Sequence, residues 1–323
     1  MAKTKRTYAR PFVKWAGGKS QLISQLDKLL PVSCDEEDFY TQVKKGEYTT
    51  YVEPLVGGGA MLFYMMQRYP FKRGVICDCN KELINVYRCV KRNVDKLISE
   101  LKSLQTQYDE QPTLDGKKAL FLLKRQSFNT TPLSIKNCYA KAAEFIFLNK
   151  TCFNGLYRVN SKGEFNTPFG QYESAWLCDE ENLRLCSDIL QKVDILCGDF
   201  QTTEWDIGPG SFVYFDPPYL PLKDKNSFTA YDKDGFGDKE QERLYGFFIE
   251  SAKNGASVML SNSADDNDTS LRDKYEGNPG IYVTEVKARR NINSKGDGRG
   301  KIGEIVVTNW LPTNYPTPKG VWA

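Results

Sequence analysis

Histidine is absent from the whole chain of 323 residues. Its absence excludes Ser-His-Asp and Cys-His catalysis and every histidine-ligated zinc site. No apolar run approaches the roughly 18 residues of a membrane span, and no signal peptide opens the chain, so no membrane partner is expected. The 9 cysteines form no C-x-x-C pair. They read as reduced thiols of an intracellular, cytoplasmic protein. Cys77-Asp78-Cys79 has no second pair, so no metal is expected there. An excess of one charge is also missing. A net charge of +3 is too mild to imply nucleic acid by itself, and the distribution of charge decides. With 40% hydrophobic and 26% charged residues, the chain suits one large or two modest domains with a real core.

What is present is organised around Ser211 to Leu220, SFVYFDPPYL. Phe212 to Phe215 have the apolar, β-favouring character of a central parallel strand. Pro217 and Pro218 end the ladder, because neither can donate a backbone hydrogen bond. Asp216, the Pro217 carbonyl and the Tyr219 ring are thereby held just past the carboxyl end of a strand, where open α/β sheets place their chemistry. Two acceptors and a stacking face suit a planar substrate that carries an NH2 group. A proline-rich turn with Asp216 as a helix cap is the plainer alternative.

Upstream, Lys3, Lys5, Arg6, Arg10, Lys14 and Lys19 precede the first acid, Asp27. Such an arm touches phosphates or is a solvated tail. Ala16 to Ser20 falls short of a P-loop, since Val13 stands where glycine is required. Ser20 is placed to cap a helix carrying Leu22, Ile23, Leu26, Leu29 and Leu30, which Pro31 ends. Residues 33–50 read as a surface loop. Then come a strand from Tyr51, the turn Gly57-Gly58-Gly59 and a helix over Ala60 to Gln67. Strand, glycine turn and helix together form a nucleotide-cradling plan. A second strand, Gly74 to Cys77, ends at Asp78, at the spacing of a carboxylate that binds ribose hydroxyls. Asp78 as the cap of a helix from Lys81 is the alternative.

Residues from Glu82 to about Leu123 are helical and polar-faced, and Lys136 to Leu148 form a further amphipathic helix. The texture then changes. NKTCFNGLYRVNSKGEFNTPFGQY, residues 149–172, suggests a hairpin turning at Asn160 to Gly163. Its aromatic, amide and basic side chains suit base edges and stacking. The sheet resumes at Val193 to Cys197, followed by Gly198-Asp199-Phe200, a carboxylate and a ring at a strand end. Gln241 to Ala252 reads as a helix. Strands are expected over Ala256 to Ser261, Ile281 to Val286 and Glu304 to Trp310. The last two are joined by a basic, glycine-bearing loop containing Arg289, Arg290 and Arg299.

Taken jointly, RPFVKWAGGKSQL, EPLVGGGAM, CFNGLYRVNSKGEFNTPFGQY, GDF, YFDPPY and RGKIGEIVVTN resemble DNA adenine methyltransferases of the Dam type, especially those that accompany GATC restriction systems. The resemblance covers nearly the whole chain. It implies methyl transfer from S-adenosyl-L-methionine to the N6 amine of an adenine flipped out of double-stranded DNA. It implies an α/β fold, a Rossmann-like mixed seven-stranded sheet carrying a mostly helical target-recognition domain. Residues 1–85 and 187–323 would be catalytic, and 86–186 would read DNA. Position by position, Trp15 and Lys19 would contact the methyl donor, bordered by Gly57, Gly59 and Asp216. Asp78 would take the ribose hydroxyls, and Asp199 with Phe200 the donor's adenine. Asp216, Pro217 and Tyr219 would hold the target base. Phe153 and Asn154 would lie beside the target pair, and Lys14, Leu156, Arg158 and Pro168 would read bases. Arg289, Arg290 and Arg299 would grip phosphates. A restriction endonuclease encoded nearby is a possible functional partner, in a prokaryotic or phage-infected cell. Two departures stand out: Leu55 where the family usually shows phenylalanine, and a long 33–50 segment. An RNA or protein-amide methyltransferase, and a catalytically dead DNA-binding regulator, are the competing assignments.

Overall fold

The computed structural model describes residues 8–33, 35–218, 236–263, 270–289 and 301–313. Seven strands form one sheet: β1 (Thr50–Glu53), β2 (Arg73–Asp78), β3 (Val193–Cys197), β4 (Ser211–Phe215), β5 (Ser257–Ser263), β6 (Tyr282–Arg289) and β7 (Lys301–Thr308). Their order is β3-β2-β1-β4-β5-β7-β6. The first five are parallel, and β7 runs antiparallel between β5 and β6. This is the mixed seven-stranded α/β sheet that the resemblance implied. The strand order reverses between β1 and β4, and such a switch point opens a crevice beyond the carboxyl ends of the strands.

Alternation along each strand divides the core. On β4, Val213 and Phe215 join Val52, Val75, Val258 and Leu260 on one face. That face is covered by Leu244, Phe247 and Phe248 of α9 (Asp238–Lys253). Phe212 and Tyr214 join Tyr51, Ile76 and Met259 on the other. Because both faces are covered, all five residues of β4 are buried, as a central parallel strand requires. Each fully buried Val or Phe side chain among them contributes about 1.5–3 kcal/mol.

Between β2 and β3 the chain makes five helices: α4 (Lys81–Arg92), α5 (Val94–Asp109), α6 (Leu114–Thr130), α7 (Cys138–Thr151) and α8 (Glu180–Leu190). The long helical stretch expected after Glu82 is thus three helices. Asn93 ends α4 and caps α5, accepting from Lys96 N, and Thr113 caps α6. The expected amphipathic helix is instead apolar nearly all round. Ala142, Ala143, Phe145, Ile146, Phe147 and Leu148 of α7 are all buried, because α4, α5 and α6 pack around it. The limits 86 and 186 fall inside α4 and α8, and both helices also touch the sheet.

Two local expectations need correction. Residues 33–50 are not all loop. Phe39–Lys45 form α2, with Asp38 accepting from Thr41 N at 2.8 Å and Gly46 ending it at φ 89. Phe39 and Val43 lie one turn apart and are buried, a signal that the surrounding charge hides. Phe39 packs on Tyr48, Tyr69, Phe71 and Phe212, so the segment extends the core. Ser20 does not cap a helix. It lies inside the 3-10 turn Lys19–Gln21, which precedes α1 (Ile23–Leu26) and has no side-chain cap. Among the described residues, no helix is long and apolar enough to cross a membrane.

Candidate active site

Four carboxylates stand at or just beyond the carboxyl ends of neighbouring parallel strands: Glu53 on β1, Asp78 on β2, Asp199 after β3 and Asp216 after β4. The glycine turn crosses this edge between β1 and α3 (Ala60–Arg68). Gly57 and Gly59 have φ of 48 and 72, a region costly for residues with a Cβ. Space forbids a side chain there as well. A Cβ on Gly57 would lie 2.7 Å from Trp15 Cδ1, and one on Gly59 would lie 2.5 Å from Tyr87 Oη.

Asp78 braces this turn. Its Oδ2 accepts from Gly57 N at 3.0 Å and its Oδ1 from Asn80 N at 2.8 Å. The cap of α4 is Asn80, which accepts from Leu83 N at 2.9 Å, so Asp78 does not take the capping role offered as its alternative. Burial pushes the Asp78 carboxyl above its usual range, and the two amide bonds pull it back.

Asp216 is met by a buried ammonium. Lys19, only 3% exposed, places Nζ 2.7 Å from Asp216 Oδ1 and 3.9 Å from Glu304 Oε2. The same Nζ donates to Gly17 O at 3.1 Å. Asp216 keeps 21% side-chain exposure, so it is anchored on one side and open on another. Burial raises its carboxyl above the ordinary value, while Lys19 and the Ser261 hydroxyl oppose that rise. Ser261 in turn shares a 2.6 Å hydrogen bond with Tyr214 Oη. Pro217 is buried, and Tyr219 lies outside the described residues.

Glu53 was not singled out from the sequence. It is buried, accepts from Tyr51 Oη at 2.8 Å, and is bonded by the Leu62 amide in the first turn of α3. It therefore does for that helix what Gly59 at the N-cap cannot. Burial raises its carboxyl far above the usual range, with Asp216 nearby adding to the rise. The available signal was a carboxylate shortly ahead of the glycine turn, in EPLVGGG.

Beyond β3, Asp199 accepts from Gln201 N at 3.0 Å and pairs with Arg243 Nη2 at 2.9 Å. Phe200 is only 3% exposed and packs against Phe236 and Phe247. The Arg243 guanidinium lies 5.0 Å from its ring centre. Arg243 stands on α9, and nothing local in the sequence marked it.

A second cluster is formed by residues 152–169 together with Lys14. Residues 152–169 fold back as expected, but the hairpin has only two isolated bridges, Cys152↔Phe169 and Val159↔Phe165. Single backbone bonds and side chains hold the rest. Thr167 Oγ1 donates to Leu156 O at 2.7 Å, and Phe153 N to Pro168 O at 2.8 Å. Arg158 Nε donates to Asn166 Oδ1 at 2.8 Å, which fixes the guanidinium across the hairpin. Phe153 is 52% exposed and Asn154 is exposed at φ 55. The Lys14 side chain lies over Gly155, where a Cβ would come within 2.3 Å of Lys14 Cδ. Lys14, Phe153, Asn154, Leu156, Arg158 and Pro168 are thus brought to one structural unit. Arg289 is the last residue of β6, while Arg290 and Arg299 lie outside the described residues.

Comparison with known proteins agrees with this architecture. Residues 15–292 match the D12 class N6 adenine-specific DNA methyltransferase family. The chain is 45% identical over 304 residues to the type II methyltransferase M.MjaIII of Methanocaldococcus jannaschii, covering 93% of this chain and 99% of that one. It is 35% identical over 303 residues to the type II methyltransferase M1.LlaDCHI of Lactococcus lactis subsp. cremoris, covering 93% and 95%. A DNA adenine methylase of Haemophilus influenzae is 33% identical over 300 residues, covering 92% and 93%. The chain belongs to the D12 class and is an adenine-specific DNA methyltransferase.

Proposed function

We propose that this enzyme takes its methyl group from S-adenosyl-L-methionine and places it on N6 of an adenine flipped out of duplex GATC. The observation that carries the reading is the Lys19–Asp216 pair of 2.7 Å at the end of β4, beside a turn that excludes side chains at Gly57 and Gly59. Trp15 and Tyr87 fill the places where Cβ atoms of that turn would stand; a nucleoside would meet the turn's backbone, and Asp78 would supply the acceptor for its ribose. Trp15, Gly57, Gly59, Asp78, Asp199 and Phe200 would hold the donor, which supplies an electrophilic methyl on a sulfonium. For Phe200 to offer its ring to an adenine, Arg243 must give way.

Asp216, with the Pro217 carbonyl, accepts the two N–H bonds of the target amine, and Tyr219 stacks on the base. This orients the nitrogen lone pair, and orientation lowers the barrier. As the nitrogen lone pair takes the methyl carbon, the carbon–sulfur bond would break with its electron pair left on a neutral thioether, and the Asp216 charge stabilises the nitrogen that becomes cationic. The nitrogen then loses one proton to Asp216 and on to water. Residues 86–186 act as the target-recognition domain. The setting proposed is DNA in the cytoplasm of a prokaryotic or phage-infected cell, with or without a paired endonuclease.

Tritiated methyl transfer from S-adenosylmethionine, followed by methylation-sensitive digestion, tests the reading. Label should enter duplex DNA with GATC and not the scrambled duplex, RNA or protein. Equal labelling of scrambled DNA would refute the assigned site, and label in RNA or protein the assigned substrate.

Three variants extend the test. Asp78→Ala should weaken donor affinity by roughly 1.5–3 kcal/mol per lost bond to a charged group. Calorimetry with S-adenosylhomocysteine measures this, and an unchanged affinity would leave Asp78 only as the brace of Gly57. Arg158→Ala should lose about 1–3 kcal/mol of discrimination at one base pair. Asn166 already orients its guanidinium, so the unused donors can face O6 and N7 of a guanine. Competition between GATC and a site altered at that pair decides it: a kept preference with uniformly lower rates would mean a phosphate contact. Neutralising Arg289, Arg290 and Arg299 should weaken binding to all sequences alike and flatten the salt dependence. An unchanged slope would place them away from phosphates.

A further inference from the structure

We propose that Tyr157 is a positioning residue that couples donor binding to sequence recognition by way of Trp15. The proposal rests on the reading above, in which the glycine turn takes the donor and residues 152–169 read DNA. Trp15 touches both regions. Its ring lies so close to the turn that a Cβ on Gly57 would come within 2.8 Å of Nε1, and one on Gly58 within 3.0 Å of Trp15 Cβ. The same indole stacks on Tyr157, with ring centres 5.7 Å apart and planes inclined by 20°. Tyr157 stacks in turn on Phe145 of α7, at 5.1 Å and 25°.

Tyr157 stands between Leu156 and Arg158, two proposed base readers. A second route closes the circuit. The Tyr157 hydroxyl faces the Asn80 side chain, and Asn80 N donates to Asp78 Oδ1. Asp78 Oδ2 accepts from Gly57 N, against which Trp15 rests. The ribose-binding carboxylate, the glycine turn, the indole and the hairpin therefore share one chain of contacts.

Packed rings do not slide freely, because interiors are dense and small gaps forfeit contact energy. A donor lying in the glycine turn limits where the Trp15 ring can sit. That ring limits Tyr157, and Tyr157 sets the backbone from which Leu156 and Arg158 project. Binding at one site then changes affinity at the other, and linkage makes the effect equal in both directions. An aromatic cluster that only fills the core would stabilise the fold without any such linkage, so coupling is the quantity to measure.

The probes are S-adenosylhomocysteine, which cannot donate a methyl group, and duplexes with GATC or a scrambled site. Affinity of the full chain for each duplex is measured with and without saturating S-adenosylhomocysteine. For the wild type, tightening by at least about fivefold is expected on GATC, with little on the scrambled duplex. GATC duplex should tighten S-adenosylhomocysteine by the same factor. Tyr157→Leu keeps apolar bulk but removes the flat ring, and its coupling factor should fall close to one. Tyr157→Phe keeps the ring and its stacking on Trp15, and should retain most of the wild-type factor, losing only the part carried by the hydroxyl and Asn80. Tyr157→Met replaces the leucine variant if that one is too unstable to titrate.

A leucine or methionine variant with wild-type coupling would overturn the proposal. So would a phenylalanine variant that loses coupling, or a wild type without any. A wild type that binds neither S-adenosylhomocysteine nor GATC duplex would instead refute the underlying donor and DNA assignment, which separates the two failures.

Discussion

Asp216→Ala is expected to slow methyl transfer by on the order of 10²–10⁴-fold while leaving donor binding largely intact. Asp216 is the open end of the Lys19 pair at the tip of β4, and it is the charge available to a nitrogen that turns cationic. Its protonation has a readable consequence. Burial holds the carboxyl above its usual range, against the opposing effects of Lys19 and Ser261. The acid form predominates below that raised value and accepts N–H bonds poorly. The single-turnover rate should therefore fall as pH drops through it, and Asp216→Asn should lack that acid limb. Single-turnover methylation with donor bound in advance separates chemistry from product release. A near-normal rate for Asp216→Ala would remove the carboxylate from the mechanism.

Lys19→Met is expected to cost on the order of 10²-fold at neutral pH, by leaving Asp216 without the cation that holds it ionised and in place. The methionine keeps much of the volume of a side chain that is nearly buried, but removes the ammonium 2.7 Å from Asp216. Without that charge, burial acts on Asp216 with less opposition, so the carboxyl rises further. The acid limb should move to higher pH, and alkaline conditions should restore part of the lost rate. Glu304, 3.9 Å from the same ammonium, loses its counter-charge too, which adds a stability penalty. The rate against pH, recorded below the melting range of the variant, gives the answer. An acid limb at the wild-type position would mean that Lys19 does not govern the charge on Asp216.

Much of this molecule is determined by short stretches of sequence. The strands over Tyr51, Gly74 to Cys77, Val193 to Cys197 and Phe212 to Phe215 are visible because their side chains are apolar and β-favouring. Their ends are visible because prolines stop a ladder and glycines permit the left-handed turn. Local pattern alone thus places Asp78, Asp199 and Asp216 at strand ends, and the histidine-free composition removes whole reaction classes. Helix α2 escaped because its two buried apolar residues, Phe39 and Val43, are diluted by polar and charged neighbours. The three-way division of residues 81–130 rests on single caps, Asn93 and Thr113, which are weaker signals than periodicity.

Other features belong to the tertiary structure alone, because they join groups distant in the chain. The sequence showed Lys19 as part of a failed P-loop, and only folding brings it to Asp216. Glu53 stands near Asp216 only because β1 lies beside β4 in the sheet. Arg243 reaches Asp199 from another helix. Tyr157 meets Trp15 because α7 carries the hairpin back over the N-terminal segment. Local periodicity carries no information about such pairs. Charge pairing and ring stacking depend on distance in space, and the order of strands in the sheet decides which ends become neighbours.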